Sequence, residues 1–219
     1  KKGIYNLGAD LIYAIPGQSL DDWREDLEAA TALGVMHISA YALTIEEGAR
    51  LARQGGMEPF EDSLSADMWG LTENVLREKG FSRYEISNYS LNGVECRHNM
   101  NVWRGQKYLG LGPAASSFDG RKRWTQAADL TSWLKNIPPE IDSLDSSRRA
   151  REIFAIGLRT SSGWNFGDLE HFLVQEDLEK LKNECEKFVD EGMMLLSASS
   201  VKLSAKGLLL WDSIAEFFI

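Results

Sequence analysis

Cys96, His98, Asn99, Asn101, Trp103 and Arg104 crowd into nine residues. Imidazole is a metal ligand, an indole covers a flat ring, and a guanidinium grips a carboxylate. Together they fit a flat, aromatic, partly anionic ligand. Behind them runs Gly110-Leu-Gly112-Pro113-Ala114-Ala115-Ser116-Ser117, where the small residues let backbone approach something closely. No period of 2 or 3.6 survives from Glu95 to Phe118, so the stretch reads as one long binding loop. The plainer reading is a surface loop whose polar side chains are satisfied locally.

The segments before the loop must position it. Leu11–Ile15 is an apolar run closed by Pro16-Gly17, suited to a strand buried in a parallel sheet. Asp10 at its start is costly to bury unless bonded. Ser19 and Asp22 form a capping box ahead of a helix with apolar face Leu20, Trp23, Leu27 and Ala30, ended by Gly34. His37–Leu43 reads as the next strand, making a βαβ unit. Thr44-Ile-Glu46-Glu47-Gly48 then sits at a strand carboxyl end, where α/β folds bind ligands. Gly55-Gly56 breaks the chain; Leu64, Met68, Leu71, Val75 and Leu76 mark a second helix, and Ser82–Ser87 a third strand. Three strands cannot close a barrel, so the first strand's edge is expected to be open to strand exchange or dimerisation.

After the loop, Arg123–Gln126 reads as a short strand and Leu130–Leu134 as a short helix. Pro138-Pro139 and the polar run Asp142–Ser147 read as a linker, which divides the chain into domains 1–137 and 138–219. The second domain reads as three helices, a hairpin of Met193–Leu196 with Val201–Leu203, and a last helix over Ala205–Phe218. That is a winged-helix-like module. Its third helix carries Glu176, Asp177, Glu179, Glu184, Glu186 and Asp190, which repel a phosphate backbone.

A net charge of −9 over 219 residues likewise argues against nucleic acid as a partner. Cys96 and Cys185 fit no metal-ligand spacing. No leader and no long apolar span is visible, so the expectation is a cytoplasmic protein with reduced thiols and no integral membrane segment.

Asp10-Leu-Ile-Tyr-Ala-Ile-Pro-Gly-Gln18, Tyr84-Glu-Ile-Ser-Asn88, Cys96-Arg-His-Asn-Met-Asn-Val-Trp103 and Leu203-Ser-Ala-Lys-Gly-Leu-Leu-Leu-Trp-Asp-Ser-Ile214 resemble the oxygen-independent coproporphyrinogen III oxidase-like family of radical S-adenosylmethionine (SAM) proteins. The His98-to-Trp103 pattern resembles its heme chaperone (HemW-like) branch, with Val102 where Tyr is usual. The resemblance implies an α/β fold: the C-terminal part of a radical SAM partial (βα)6 barrel, followed by the small winged-helix-like α+β domain. It implies heme or porphyrin as ligand, with His98 as ligand to heme iron, Asn99 and Trp103 beside it, and a recipient hemoprotein as partner. It also implies a SAM side of the barrel formed by Asp10, Ile12, Tyr41, Thr44, Gly110 and Gly112, with Asp10 accepting from ribose hydroxyls.

Radical SAM enzymes carry a Cys-x-x-x-Cys-x-x-Cys loop for a [4Fe–4S] cluster. This chain has two cysteines and no such loop, so SAM and the cluster are expected in an intact parent and no SAM cleavage from this chain alone. Heme binding and transfer is the leading expectation. The alternatives are oxidative decarboxylation of coproporphyrinogen III and a cofactor-free structural domain.

Overall fold

The computed structural model describes residues 3–45 and 62–219. Glu46-Glu47-Gly48 and Gly55-Gly56 lie outside the described residues. The chain forms two compact units, Lys1–Glu95 and Cys96–Ile219.

The first unit contains β1 (Gly8–Tyr13), α1 (Leu20–Ala32), β2 (His37–Ala42), α2 (Asp62–Glu78), β3 (Ser82–Arg83) and β4 (Asn88–Ser90). The capping box forms as read: the Ser19 hydroxyl accepts the Asp22 N–H at 3.1 Å, and the Asp22 carboxylate accepts the Ser19 N–H at 2.8 Å. Trp23, Leu27 and Ala30 are buried, while Leu20 at the helix start is exposed. The Trp23 indole donates to Thr72 Oγ1 at 2.9 Å and ties α1 to α2. The sheet order is β1-β2-β4-β3, and β1 and β2 run parallel as expected.

The third strand differs from the sequence reading. Ser82–Ser87 is not one strand but one arm and the bend of a hairpin, and its return strand β4 pairs antiparallel with β2. Glu85 causes the bend: its carboxylate accepts the Ser87 N–H at 2.9 Å and the Asn88 side-chain amide, which turns the chain back. Ala9, Leu11, Tyr13, Ile38 and Ala40 pack on the helices. Alternation along each strand leaves Gly8, Asp10, Ile12 and Tyr41 exposed on the other face. β1 forms one edge of the sheet, so the barrel is not closed.

The second unit opens with α3 (Arg97–Trp103), then β5 (Ser116–Phe118), β6 (Arg123–Thr125), α4 (Leu130–Leu134) and β7 (Glu140–Asp142). Its remaining elements are α5 (Ser146–Gly157), β8 (Trp164–Asn165), α6 (Phe166–Leu169), α7 (Gln175–Asp190), β9 (Met194–Leu196), β10 (Ser200–Leu203), α8 (Ala205–Leu209) and α9 (Trp211–Phe218). β8-β10-β9 form the wing beside α5, α6 and α7, so the winged-helix-like module stands.

The elements around it differ from the sequence reading. The stretch expected as a linker contains β7, which completes the sheet β5-β6-β7. The last helix is broken at Leu210, whose φ of −108° and ψ of 21° interrupt the helical ladder. The compact units divide at residue 95 rather than at 137, for a packing reason. Phe118 belongs to the same buried cluster as Phe154, Trp164, Leu181 and Phe218, with Tyr108 packed against it. Arg123 reaches Glu152 at 2.5 Å, binding β6 to α5. Among the described residues, no helix is long and apolar enough to cross a membrane.

Candidate functional site

The Cys96–Trp103 segment is a short helix, not the loop that its aperiodic sequence suggests. The Cys96 carbonyl accepts the Met100 N–H at 3.0 Å, and the Arg104 N–H closes on Met100 O at 3.0 Å. No side chain caps its start, and tertiary anchors at its end hold it instead. Arg104 donates to Gly163 O and to Ser162 Oγ, each at 2.6 Å, and its guanidinium lies 4.8 Å from the Trp164 ring centroid. Arg159 stacks on Trp103 at 4.1 Å and on Trp211 at 4.8 Å.

These anchors separate the motif residues. Asn99 and Trp103 are four apart, share one side of the helix and are half-buried. His98 is exposed, and it lies about 140° around the helix from Trp103. The indole face expected against a porphyrin therefore carries Arg159 on one side. Trp103 Nε1 is buried with no hydrogen-bond partner. It borders a cavity of about 210 Å³ lined also by Val102, Tyr108, Phe118 and Ile153. Of His98, Asn99 and Trp103, His98 is the exposed one; Arg97 and Asn101 are exposed beside it.

Gly110 and Gly112 lie in the second unit, and each meets a demand of this chain itself. A Cβ on Gly110 would sit 2.2 Å from Ser116 O, and Gly112 adopts φ +109°. Among the candidates for the SAM side, Asp10, Ile12 and Tyr41 share the open face of the first unit's sheet, and Thr44 follows β2. Parallel register sets Ile12 beside Tyr41 and Asp10 beside Ser39.

The structure adds residues there that the sequence reading did not assign to the site. His37 Nε2 and the Tyr84 hydroxyl are 2.7 Å apart. Burial pushes the His37 imidazole below its ordinary pKa, opposed by Asp10 and Glu85. Asn88 is buried with its Oδ1 unpartnered, an acceptor that fits a donor on a bound molecule. The Tyr84–Asn88 segment was a visible signal, but only the hairpin turns it onto this face.

An iron–sulfur cluster does not fit the residues present. Among the described residues, no group of three or more His, Cys, Asp or Glu side chains is placed to hold a metal ion, and Cys185 is fully buried. A single imidazole is one of the side chains that can ligate heme iron, and His98 presents an exposed one.

No family model matches the chain. It is 31% identical over 232 residues to the mitochondrial radical S-adenosyl methionine domain-containing protein 1 of Danio rerio, covering 95% of this chain and 51% of that protein. It is 40% identical over 126 residues to the heme chaperone HemW of Mycobacterium tuberculosis, covering 56% of this chain and 32% of that one. It is 27% identical to HemW of Lactococcus lactis, over all of this chain and 60% of the relative. Among solved structures, the Escherichia coli coproporphyrinogen III oxidase HemN, a radical SAM enzyme, shares the fold with a TM-score of 0.77. That likeness covers 96% of this chain and 54% of HemN, at 15% identity. The chain thus spans about half the length of the full-chain relatives that it matches. With its motif helix, open sheet face and wing module in the same order as the resemblance implies, the chain belongs to the coproporphyrinogen III oxidase-like radical SAM family, in the branch of the HemW proteins.

Proposed function

We propose that the chain is the heme-handling part of a heme chaperone, which binds heme through His98 and passes it to a recipient hemoprotein. The observation that carries this reading is the exposed imidazole at the second residue of α3, within a segment anchored from behind by Arg104 and Arg159. A neutral imidazole is an ordinary axial ligand of heme iron. An exposed ligand also suits a carrier, because a recipient can reach the iron. Similarity to proteins named as heme chaperones supports the reading. Trp103 and Asn99 are positioning residues in this proposal, fixing the helix on which His98 sits.

In the longer protein, we propose that SAM lies against the open sheet face. Asp10 would accept from ribose hydroxyls, Ile12, Tyr41 and Thr44 would border the adenosine, and thiolates from beyond this chain would hold the cluster. We propose a cytoplasmic location, in keeping with a chain whose two cysteines are not joined to each other in a disulfide. Oxidation of coproporphyrinogen III is the second reading. The fold shared with HemN favours it, but at 15% identity that likeness carries fold and not activity.

Hemin titration followed in the Soret band tests the proposal. The wild-type chain is expected to give a saturable Soret shift with the position of an imidazole-ligated heme, and His98→Ala is expected to lose that position. Identical spectra and affinities for the two would reject His98 as the ligand.

A further inference from the structure

A second cavity in the second unit lies apart from His98. It measures about 640 Å³ and opens between the β5–β6 turn and the start of α5. Pockets of roughly 300–1,000 Å³ hold small organic ligands. Its mouth carries exposed Arg121, Lys122 and His171, and its floor is Ala150, Ile153 and Phe172.

The acidic groups beside it are already engaged. Asp119 Oδ1 accepts the backbone N–H groups of Lys122 at 2.7 Å and Arg121 at 2.8 Å. Those bonds hold the Asp119 carboxyl below the usual carboxylate range. Asp145 caps α5 by accepting the Arg148 N–H at 2.9 Å. Deeper in, Arg149 is 3% exposed and has its Nε buried without a partner, although its terminal nitrogens bind Glu152 and Asp142. A cationic mouth over an apolar floor, on a chain of net charge −9, selects an amphipathic anion. Ile153 lines both this cavity and the smaller one behind α3.

We propose that this cavity binds the carboxylates and part of the apolar body of a porphyrin-type dicarboxylate, with Arg121 and Lys122 as the anion-binding groups. The inference rests on the heme reading for the identity of the ligand, but not on His98 or on iron. Without a metal, only ring and carboxylates remain to be recognised, so metal-free protoporphyrin IX isolates this site.

The test is fluorescence titration of the wild-type chain, Arg121→Gln/Lys122→Gln and His98→Ala with protoporphyrin IX and with its dimethyl ester. The double variant is expected to bind the free acid roughly tenfold more weakly, the loss of about one charge-assisted hydrogen bond. The ester should bind wild type as weakly as the free acid binds the double variant, and His98→Ala should bind metal-free porphyrin like wild type. Equal binding of acid and ester, or a double variant that binds the acid like wild type, would overturn the proposal. Hemin spectra unchanged by His98→Ala would remove the axial-ligand reading alone; the tenfold loss in the double variant would still support the cavity.

Discussion

Substituting Gly157 by Ala tests how the motif helix is held. Gly157 closes α5 directly against the Trp164 indole, and a Cβ there would lie 2.3 Å from Cζ2 and 2.4 Å from Nε1. Trp164 is 2% exposed, and its Nε1 donates to Phe154 O at 2.9 Å, so the ring has nowhere to move without breaking that bond. Overpacking costs about 1–3 kcal/mol, and the lost hydrogen bond adds about 1 kcal/mol. Better helix propensity returns about 1 kcal/mol, so packing wins with a net loss of about 2 kcal/mol. With a urea slope of about 2 kcal/mol per molar, the unfolding midpoint should fall by about 1 M. Arg104 rests on the same indole, so displacing it should also loosen α3 and weaken hemin binding. Gly167→Ala is the control, because nothing lies within 4 Å of a Cβ there. Urea unfolding followed by circular dichroism reads both variants. A Gly157→Ala chain as stable as wild type would refute the packing argument.

Two further predictions concern local chemistry. The Ser19 hydroxyl, with its backbone N–H, holds the Asp22 carboxyl below the ordinary carboxylate range. A depressed folded-state value stabilises the fold above the unfolded pKa of about 3.9, and that stability is lost as pH falls through the folded value. Ser19→Ala should therefore lower the urea midpoint near neutrality, and the difference from wild type should shrink as the pH of the unfolding measurement is lowered; a constant difference would contradict it. Burial pushes the Cys185 thiol up to about 12, whereas Cys96 is half-exposed. Ellman's reagent should titrate Cys96 in the native chain and reach Cys185 only in denaturant; native reaction of both would show that the α7 packing is wrong.

Local signals were legible in the sequence where they acted locally. The Ser19–Asp22 box, the Trp23-Leu27-Ala30 stripe and the β9–β10 hairpin each rest on residues a few positions apart. What escaped depends on partners distant in sequence. Arg97–Trp103 has no apolar period and no capping side chain, so its helicity follows from anchors supplied by Gly163, Ser162 and Arg159. β7 follows two prolines in a polar run, and only its pairing with β6 reveals it. The Glu85 turn sits inside what alternates as a strand. Within the site, residue types pointed to His98, whereas the covering of Trp103 by Arg159, 56 positions on, could not be read from spacing.

The central claim is that one exposed imidazole, held out on an anchored helix, ligates heme iron. Electron paramagnetic resonance of the ferric heme complex addresses it directly. The wild-type chain should show the signature of an imidazole ligand, His98→Gly should lose it, and added free imidazole should restore it. The same signature in His98→Gly without added imidazole would contradict the account.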